Sequence, residues 1–507
     1  MAFNSLSFLI FFPIAVVGYY LVPHKAKNLW LLVLSYYFYM NWNATYALLI
    51  FFSTLSTYLC AGWMGRLKSD GGRKAALCVN IAVNLSILFL FKYYDMFTQL
   101  LVDALGLVGV AFEPMRLSLL LPVGISFYTF QALGYSIDVY RGTVEHEKSF
   151  LNYALFVSFF PQLVAGPIER SENLLPQFRA QHPFRYENLA VGLRIMLLGF
   201  LKKVVIADNI GIAVDRMYTY LDVFPGPVLL FGVVLFAVQV YCDFGGYSDI
   251  ALGAAKVLGF DLMRNFDHPY FSETIAEFWR RWHISLGGWF RDYLFYPVLR
   301  SNFCMQLMRR LNKQRRKKLA RILPTAIALM VVWCTTGLWH GAAWTYVAWG
   351  TLHGVYQIVG NIIQPYRKQW AKKTGWDKFP RLARTVRIGT TFALVCVGYV
   401  FFRSATFGQA WYILTHWFRG WGIFANPVGA VQAFVSLANS VRVTVIILVS
   451  IAALWLLELY ERRRGLRFEQ IVAELRLPVQ WCIYYAMLLA IALFGAFGQS
   501  SFIYFQF

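Results

Sequence analysis

Charged residues are scarce in this sequence, and acidic ones most of all. Only 14% of the 507 residues are charged, and 25 Asp and Glu residues stand against 47 Lys and Arg residues. Soluble proteins carry about 25% charged residues because water has to solvate their surface. With 59% hydrophobic and 18% aromatic residues, the composition excludes an ordinary soluble protein and predicts a surface that faces membrane hydrocarbon.

Paired cysteines and short catalytic signatures are missing as well. The seven cysteines have no CxxC or other paired spacing and mostly lie in apolar runs, which argues against a disulfide framework and against a zinc site. The sequence also contains no GxSxG elbow, P-loop, HExxH motif or Rossmann fingerprint. Nucleotide hydrolysis, a bound metal and a permanently bound cofactor are therefore not expected.

Basic residues lie between the apolar stretches and give a net charge of +22. In a membrane protein this distribution is typical of the positive-inside rule, with Lys and Arg in cytoplasmic loops. It predicts contact with membrane lipids and does not favour nucleic-acid binding.

Long apolar stretches predict an all-α integral membrane protein. Several approach the roughly 20 residues that cross a bilayer, and about ten to twelve transmembrane helices are expected. The first stretch is predicted to be a retained helix because Pro13 interrupts it and no cleavage site follows. No linker or internal repeat is found, so we expect a single membrane-embedded domain over residues 1–507. The clearest stretches are residues 8–22, 77–91, 228–240, 391–402 and 443–457.

Residues 243–300 depart from the pattern of simple spans by mixing acids, bases and aromatic residues. Gly245, Gly246, Gly287 and Gly288 are expected to interrupt helices there, and the many Trp and Tyr residues are typical of membrane interfaces. Short amphipathic or re-entrant helices are predicted. Because non-helical backbone inside a bilayer needs protein or a water-filled cavity around it, a central cavity is expected.

Residues 323–360 are nearly uncharged and too long for one span. Gly337 and Gly341 flank Leu338, Trp339 and His340, so two spans or half-spans are expected to meet at a glycine break beside His340. An ionisable group inside an apolar span is costly to bury and tends to mark function. Imidazole can accept and return a proton near neutral pH, which makes His340 the first catalytic candidate. A hydrogen bond that clamps two helices is the alternative.

The other seven histidines are weaker candidates. His283, in an amphipathic stretch, is the second catalytic candidate. His353 follows His340 by thirteen residues in an apolar run and is expected to form a hydrogen bond in the core, while His268 precedes a proline and is expected to shape a turn. The remaining four are predicted to be solvated or interfacial: His24, His146, His182 and His416.

Carboxylates are rare around His340, which argues against a local catalytic triad. Between Asp292 and Glu458 the sequence has one acid, Asp377. A group that orients His340 must therefore come from another segment, such as residues 243–293, or be uncharged.

A basic loop is predicted at residues 300–321, which hold nine Lys or Arg residues and no acid. Such a cluster is typical of contact with anionic lipids at the cytoplasmic face. A second interpretation is that the nearby Arg280, Arg281 and Arg291 hold a phosphate-bearing donor that arrives from the cytoplasm.

Five stretches resemble a known family, the membrane-bound O-acyltransferases. The similarity covers most of the chain and is specifically to the bacterial subgroup typified by the membrane subunit of alginate O-acetyltransferase. The D-alanyl transferase of teichoic acid synthesis is a nearby relative. FWRRWHISL followed by GLWHGA is the most specific pair. The stretches are PVGISFYTFQALGYSIDVYRG (122–142), FPQLVAGPIERSENLLPQF (160–178), DFGGYSDIALG (243–253), NFDHPYFSETIAEFWRRWHISLGGWFRDYLFYP (265–297) and GLWHGAAWTYVAWGTLHG (337–354).

The resemblance implies many helices around a central cavity, with a catalytic core at about residues 120–360. It matches His340 to the family's catalytic histidine and His283 to its second active-site histidine. It also implies acetyl-CoA as the donor, a hydroxyl of an extracytoplasmic polysaccharide as the acceptor, a secreted SGNH-type acetyltransferase as a partner, and the bacterial cytoplasmic membrane as the location. The expected cavity-lining residues are Trp279, Trp282, Trp339, Asp243 and Tyr247.

One departure from the family pattern leaves the identity of the acceptor polymer undetermined, because residues 300–321 occupy the place where alginate enzymes have a glycine-rich stretch. D-alanyl or lipid acyl transfer by the same fold is the nearest alternative. A flippase for lipid-linked saccharide would use His340 as a proton relay, and a scaffold would only dock a secreted enzyme. Transporters often show paired repeats with broken helices, and no such pairing is found.

Overall fold

The computed structural model describes residues 1–114, 117, 119–164, 166–498 and 502–503, and in these residues the chain forms helices and no strands. The predicted all-α class is confirmed. The chain packs into two compact units that alternate along the sequence. The first unit comprises Met1–Gly199 and Tyr247–Arg264, and the second comprises Phe200–Gly246 and Asn265–Phe507.

The helices up to residue 200 belong almost entirely to the first unit. They are α1 (Leu6–Leu21), α2 (Lys27–Met40), α3 (Tyr46–Arg66), α4 (Asp70–Leu88), α5 (Tyr94–Leu107), α6 (Ile125–Arg141), α7 (Phe150–Ser158), α8 (Phe160–Leu163), α9 (Ser171–Arg179) and α10 (Tyr186–Phe200).

The remaining helices belong to the second unit, apart from the last part of α12. They are α11 (Asp208–Thr219), α12 (Gly226–Val257), α13 (Ile275–Arg281), α14 (Ile284–Phe290), α15 (Tyr296–Leu299), α16 (Asn302–Lys313), α17 (Lys317–His340), α18 (Trp344–Thr374), α19 (Pro380–Arg403), α20 (Phe407–His416), α21 (Pro427–Ala438), α22 (Val441–Arg464), α23 (Phe468–Glu474) and α24 (Leu477–Phe494).

Short polar side chains begin many of these helices. Each accepts a hydrogen bond from a backbone N–H of the first turn, which would otherwise have no partner. These caps are Ser5, Ser69, Ser149, Thr274, Ser301, Thr406, Asn426 and Ser440.

Among the described residues, seven helical segments are long and apolar enough to cross a membrane, and α1 and α21 are shorter apolar helices. This is fewer than the ten to twelve spans expected. Apolar stretches such as α7 and α8 are too short to cross a bilayer and are buried inside the first unit. The seven segments are Tyr46–Arg66, Asp70–Leu107, Gly226–Val257, Lys317–His340, Pro380–Arg403, Val441–Arg464 and Leu477–Phe494.

Buried hydrogen bonds join α3, α4 and α6 of the first unit. Asn80 Nδ2 donates to Ser136 Oγ over 2.5 Å, and Thr57 Oγ1 donates to Asn80 Oδ1 over 3.0 Å. Ser53 Oγ donates to Asn84 Oδ1 over 2.6 Å. Since hydrogen bonds between side chains are one of the forces that associate helices in a bilayer, this network explains why three apolar helices hold a fixed register.

Two expectations about loops and breaks are wrong. Gly245 and Gly246 lie inside the continuous helix α12, and Gly287 and Gly288 lie inside α14, because packing of buried helices overrides the weak helix propensity of glycine. The basic residues 300–321 form α16 and the first turn of α17 rather than a loop. The short helices α13, α14 and α15 do follow the prediction for residues 243–300.

Candidate active site

His340 is the last residue of α17, at the junction with α18. The next residue, Gly341, has an extended backbone, and its N–H donates to the Gly337 carbonyl oxygen over 3.3 Å. A Cβ atom on Gly341 would lie 2.2 Å from the ring of Tyr346, so a side chain there would collide with α18. The side chain of His340 is only 4% exposed. The expected glycine break beside a buried histidine is thus present.

Glycines let α17 and α18 approach closely behind this junction. A Cβ atom on Gly350 would lie 2.2 Å from the carbonyl oxygen of Trp333, and one on Gly337 would lie 2.4 Å from that of Tyr346. Small residues allow backbones in membrane helices to come into contact. The close approach fixes where α17 ends and therefore where His340 stands.

Gly350→Ala is expected to destabilise the protein by about 1–3 kcal/mol, because α17 and α18 must move apart to admit the methyl group. Gly360→Ala, on the same helix, is the matched control, since a Cβ atom there has no neighbour within 4 Å. Thermal unfolding of both variants in detergent measures the difference. A Gly350→Ala protein that melts at or above the temperature of Gly360→Ala would show that the close approach is unimportant.

Aromatic rings from three helices enclose His340. The ring centroids of Trp339 and Trp349 each lie 4.9 Å from that of His340, and the centroid of Phe402 lies 5.3 Å away. Trp349 is 2% exposed, and its indole N–H has no hydrogen-bond partner among the described residues. The imidazole therefore lies in an apolar enclosure, beside a buried N–H that could donate to an oxygen atom.

His283 lies in the turn between α13 and α14 and has a left-handed backbone, with φ +46°. Such a conformation is uncommon for a residue other than glycine. Asn265 holds the turn, because its carbonyl oxygen accepts from Ile284 N (3.0 Å) and its Oδ1 accepts from Ser285 Oγ (2.6 Å). The turn directs the imidazole inward, where it is 1% exposed.

Trp339 lies against both histidines. Its ring centroid is 4.9 Å from that of His340 and 5.9 Å from that of His283, and the ring centroid of Phe244 lies 4.7 Å from that of His283. The two candidate catalytic residues, 57 positions apart in the sequence, are therefore brought to one indole ring.

Burial decides the charge of His283, which lies outside the seven long apolar segments. Desolvation lowers the pKa of His283 to about 3, because an imidazolium would lose its hydration there. At neutral pH this ring is an uncharged imidazole that has one N–H donor and one acceptor nitrogen.

The three candidate donor-binding arginines have different surroundings. Arg281 forms an ion pair with Glu277 over 2.7 Å, and Arg291 pairs with the adjacent Asp292 over 2.8 Å. Arg280 lines a cavity between α13, α18 and α19. The structure does not place the three in one common setting, and their role in holding a donor stays a prediction.

The predicted cavity-lining tryptophans have separate contacts. Trp339 contacts both histidines, whereas Trp279 donates from Nε1 to His353 Nδ1 over 3.1 Å. Trp282 is 3% exposed and packs between Phe266 and Phe278. Trp282 is thus part of a packed aromatic cluster that supports the turn of His283.

Asp243 and Tyr247, also predicted to line a cavity, take part in packing. Asp243 is 3% exposed and receives Lys203 Nζ at 2.6 Å, and the same Lys203 Nζ lies 2.7 Å from Asp208. One lysine between two buried carboxylates partly offsets their desolvation. Tyr247 packs against Phe3 in the first unit, with ring centroids 4.5 Å apart.

Two weaker histidine candidates behave as the sequence suggested. The expected core hydrogen bond of His353 is confirmed by its contact with Trp279, and His353 is fully buried. His268 shapes a left-handed turn, with φ +46°, and its Nε2 also lies 2.7 Å from Glu461 Oε2. Burial alone would lower the pKa of His268, but its hydrogen bonds with Asp267 and Glu461 raise it above the ordinary value.

Sequence reasoning missed Asn265, Trp349 and Phe402. Trp349 and His353 are four residues apart and share one face of α18, a spacing that was visible in the sequence. Asn265 lies 18 residues before His283 and Phe402 lies 62 residues after His340, and no local pattern connects either of them to a histidine.

Comparison with known proteins places this geometry in a family. The model of the MBOAT, membrane-bound O-acyltransferase family, matches residues 144–381, which include both histidines. The "Probable alginate O-acetylase AlgI" of Azotobacter vinelandii is 36% identical over 81% of this chain and 77% of its own length. The "Peptidoglycan O-acetyltransferase" of Helicobacter pylori is 31% identical over 82% of this chain and 79% of its own length.

A more distant relative is the "Teichoic acid D-alanyltransferase" of Bacillus subtilis, which is 27% identical over 56% of this chain and 69% of its own length. The resemblance inferred from the motifs is confirmed. This chain is a multi-pass membrane acyltransferase that belongs to the membrane-bound O-acyltransferase family.

Proposed function

We propose that the protein transfers acetyl groups from cytoplasmic acetyl-CoA to hydroxyl groups of an extracytoplasmic polysaccharide, at the cytoplasmic membrane of a bacterium. Two relatives of at least 31% identity are named for O-acetylation of alginate and of peptidoglycan, and both polymers are polysaccharides. The observation that carries the proposal is the buried pair His283 and His340 on one indole ring, Trp339. That arrangement supplies a base and a neutral donor in an apolar enclosure.

His340 acts as the general base in this proposal. Its imidazole takes the proton of the acceptor hydroxyl while the hydroxyl oxygen attacks the thioester carbonyl carbon. The C–S bond then breaks, and the CoA thiolate leaves with the proton that the imidazolium returns. One ester forms, one thioester is consumed and His340 is restored. A positioned base of this kind contributes about 10²–10⁴-fold.

His283 and Trp349 supply hydrogen-bond donors in the same step. A neutral His283, with its pKa lowered to about 3, can donate an N–H to the carbonyl oxygen as negative charge develops there. The buried indole N–H of Trp349 has no partner among the described residues, and a reactant oxygen would satisfy it. The rings of Trp339, Trp349 and Phe402 exclude water, which limits hydrolysis of the thioester.

The acceptor side of the proposal includes a secreted SGNH-type acetyltransferase. Its active-site serine would receive the acetyl group first and pass it to the polymer. On the donor side, Arg280, Arg281 and Arg291 remain candidates for contact with the phosphates of acetyl-CoA, because guanidinium groups match phosphate oxygens in geometry.

D-alanyl transfer is the second candidate, because a relative named for that activity matches the chain over a shorter range. The two candidates differ in the group carried. Cells fed labelled acetate or labelled D-alanine would show which label enters the cell-surface polymer only when the protein is present.

Deletion of the gene is expected to remove base-labile acetyl esters from the surface polysaccharide, and the wild-type chain should restore them. The measurement is the acetyl content of the purified polymer after mild alkaline release. His24→Ala is the matched control, since His24 is exposed, and should restore acetylation fully. Unchanged acetyl content in the deletion strain would reject the proposed function.

A further inference from the structure

A large cavity lies in the second unit between α13, the second half of α18 and the first half of α19. Its volume is about 1000 Å³, at the upper end of the range for small-molecule sites. Most of its wall is apolar. The apolar wall includes the side chains of Ile275, Val359, Ile363, Trp370, Val386 and Leu394.

Basic side chains are concentrated in the lining of this cavity. Arg280, Arg367, Lys368 and Arg387 line it, against a single acid, Glu273. The two carboxylate oxygens of Glu273 are already taken, by Arg387 Nε at 2.8 Å and by Arg384 Nε at 3.3 Å. Among the described residues, no carboxylate lies within ion-pair distance of the other three lining cations. The cavity therefore combines an apolar wall with uncompensated positive charge.

Packed rings separate this cavity from His340. Tyr356 lines the cavity, and behind it lies the fully buried His353, at a ring-centroid distance of 5.7 Å. Trp349, at 5.2 Å from His353 and 4.9 Å from His340, fills the remaining interval. Tyr356, His353 and Trp349 therefore stand between the cavity and His340, which favours an occupant other than the acyl donor.

We propose that the cavity binds an anionic phospholipid of the cytoplasmic leaflet. Basic pockets between transmembrane helices bind anionic headgroups, and the positive-inside rule puts the basic ends of α18 and α19 at the cytoplasmic face. The phosphate contacts Arg367 and Lys368, and an acyl chain lies along Ile363 and Val386.

The bound lipid contacts α13, because Ile275, Ala276 and Arg280 of that helix line the cavity. α13 carries Trp279, which donates to His353, and it ends at Arg281, two residues before His283. Filling the cavity therefore stabilises the turn that positions His283, and links the stability of the protein to the charge of the membrane.

The test uses the full chain, purified, stripped of lipid and placed in nanodiscs of phosphatidylglycerol or phosphatidylcholine. Native mass spectrometry after release counts retained lipid, and thermal unfolding gives Tm. Wild type is expected to retain phosphatidylglycerol and to melt higher in it than in phosphatidylcholine. The double variant Arg367→Ala, Lys368→Ala should bind about thirtyfold more weakly, at roughly a fivefold loss per cation.

The matched control is Lys372→Ala, Lys373→Ala, which removes the same charge from the same helix at exposed positions outside the cavity. It should retain lipid like wild type. Ile363→Trp keeps every charge but places a bulky indole in the space beside the apolar wall. This variant should therefore also lose the lipid.

Equal lipid retention by wild type and both cavity variants would overturn the proposal. A loss of lipid in the Lys372→Ala, Lys373→Ala control as large as that in the cavity variants would also overturn it. Acetyl-CoA that displaces phosphatidylglycerol and binds less well to the Arg367→Ala, Lys368→Ala protein would identify the cavity as a donor site instead. Because lipid retention and Tm are read without acyl transfer, failure here is distinct from failure of the proposed function.

Discussion

Replacing His340 by alanine is expected to lower acetyl transfer by about 10²–10⁴-fold, the usual contribution of a positioned general base. Among the described residues, the rings that contact His340 from α17, α18 and α19 are Trp339, Trp349 and Phe402, and none of these three can accept a proton near neutral pH. The measurement is the rate of labelled acetyl transfer by purified protein in proteoliposomes.

A loss of activity has to be separated from a loss of folding. His340→Gln keeps most of the side-chain volume and a hydrogen-bonding group, but it has no group that titrates near neutrality. It should melt close to wild type and be as inactive as His340→Ala. If either variant, folded as judged by its melting curve, kept more than about a tenth of wild-type transfer, His340 would not be the base that the mechanism requires.

His283→Asn has a shorter side chain, which moves the donor N–H away from the position of the outer imidazole nitrogen. This variant is expected to reduce kcat by about 10²–10³-fold, the loss seen when one donor to a developing oxyanion is removed. Asparagine tolerates the left-handed backbone that His283 adopts, so the turn held by Asn265 should persist. KM for acetyl-CoA should change little, because an interaction made only in the transition state affects kcat. Steady-state kinetics over a range of acetyl-CoA concentrations provides both constants.

His283→Ala is the companion variant. Alanine pays about 1–2 kcal/mol for a left-handed backbone, so it should melt lower than His283→Asn and show a similar kcat. A His283→Asn protein with wild-type kcat would assign His283 to the turn alone. A change confined to KM would assign it to donor binding.

The elements that sequence reasoning predicted well are those with strong local signals. Apolar runs predict α1, α4, α12, α19 and α22, because each helix satisfies its own backbone hydrogen bonds and needs no information from elsewhere in the chain. The junction after His340 was predictable for a similar reason, since a glycine beside a histidine in an apolar run favours a helix end at which the histidine is buried.

The elements that were missed depend on distant partners. Gly245 and Gly246 lie inside α12 because packing around this buried helix overrides the weak helix propensity of glycine. The presence of two glycines in the sequence does not reveal that packing. The left-handed turn of His283 depends on Asn265, and the burial of Asp243 depends on Lys203. Residues 300–321 look like a basic loop, yet Ser301 caps a helix there and Cys304 and Leu311 bury one of its faces.

The positions of the two site histidines and their proposed roles come from different observations. The sequence placed His340 at a buried junction and the family resemblance named it catalytic, and the structure adds that Trp339 contacts both histidines. This contact arises where the turn of His283 meets the α17–α18 junction, and the proposed mechanism uses it to bring a base and a donor to one reactant.

The most direct measurement uses proteoliposomes that have labelled acetyl-CoA outside and the polysaccharide sealed inside. The polysaccharide is enclosed either alone or together with periplasmic extract of the same strain, which supplies the secreted partner. The account predicts labelled acetyl ester on the enclosed polymer for wild type and none above background for His340→Ala. Label that reaches the enclosed polymer equally well with His340→Ala, or that never crosses in the wild type under either condition, would contradict it.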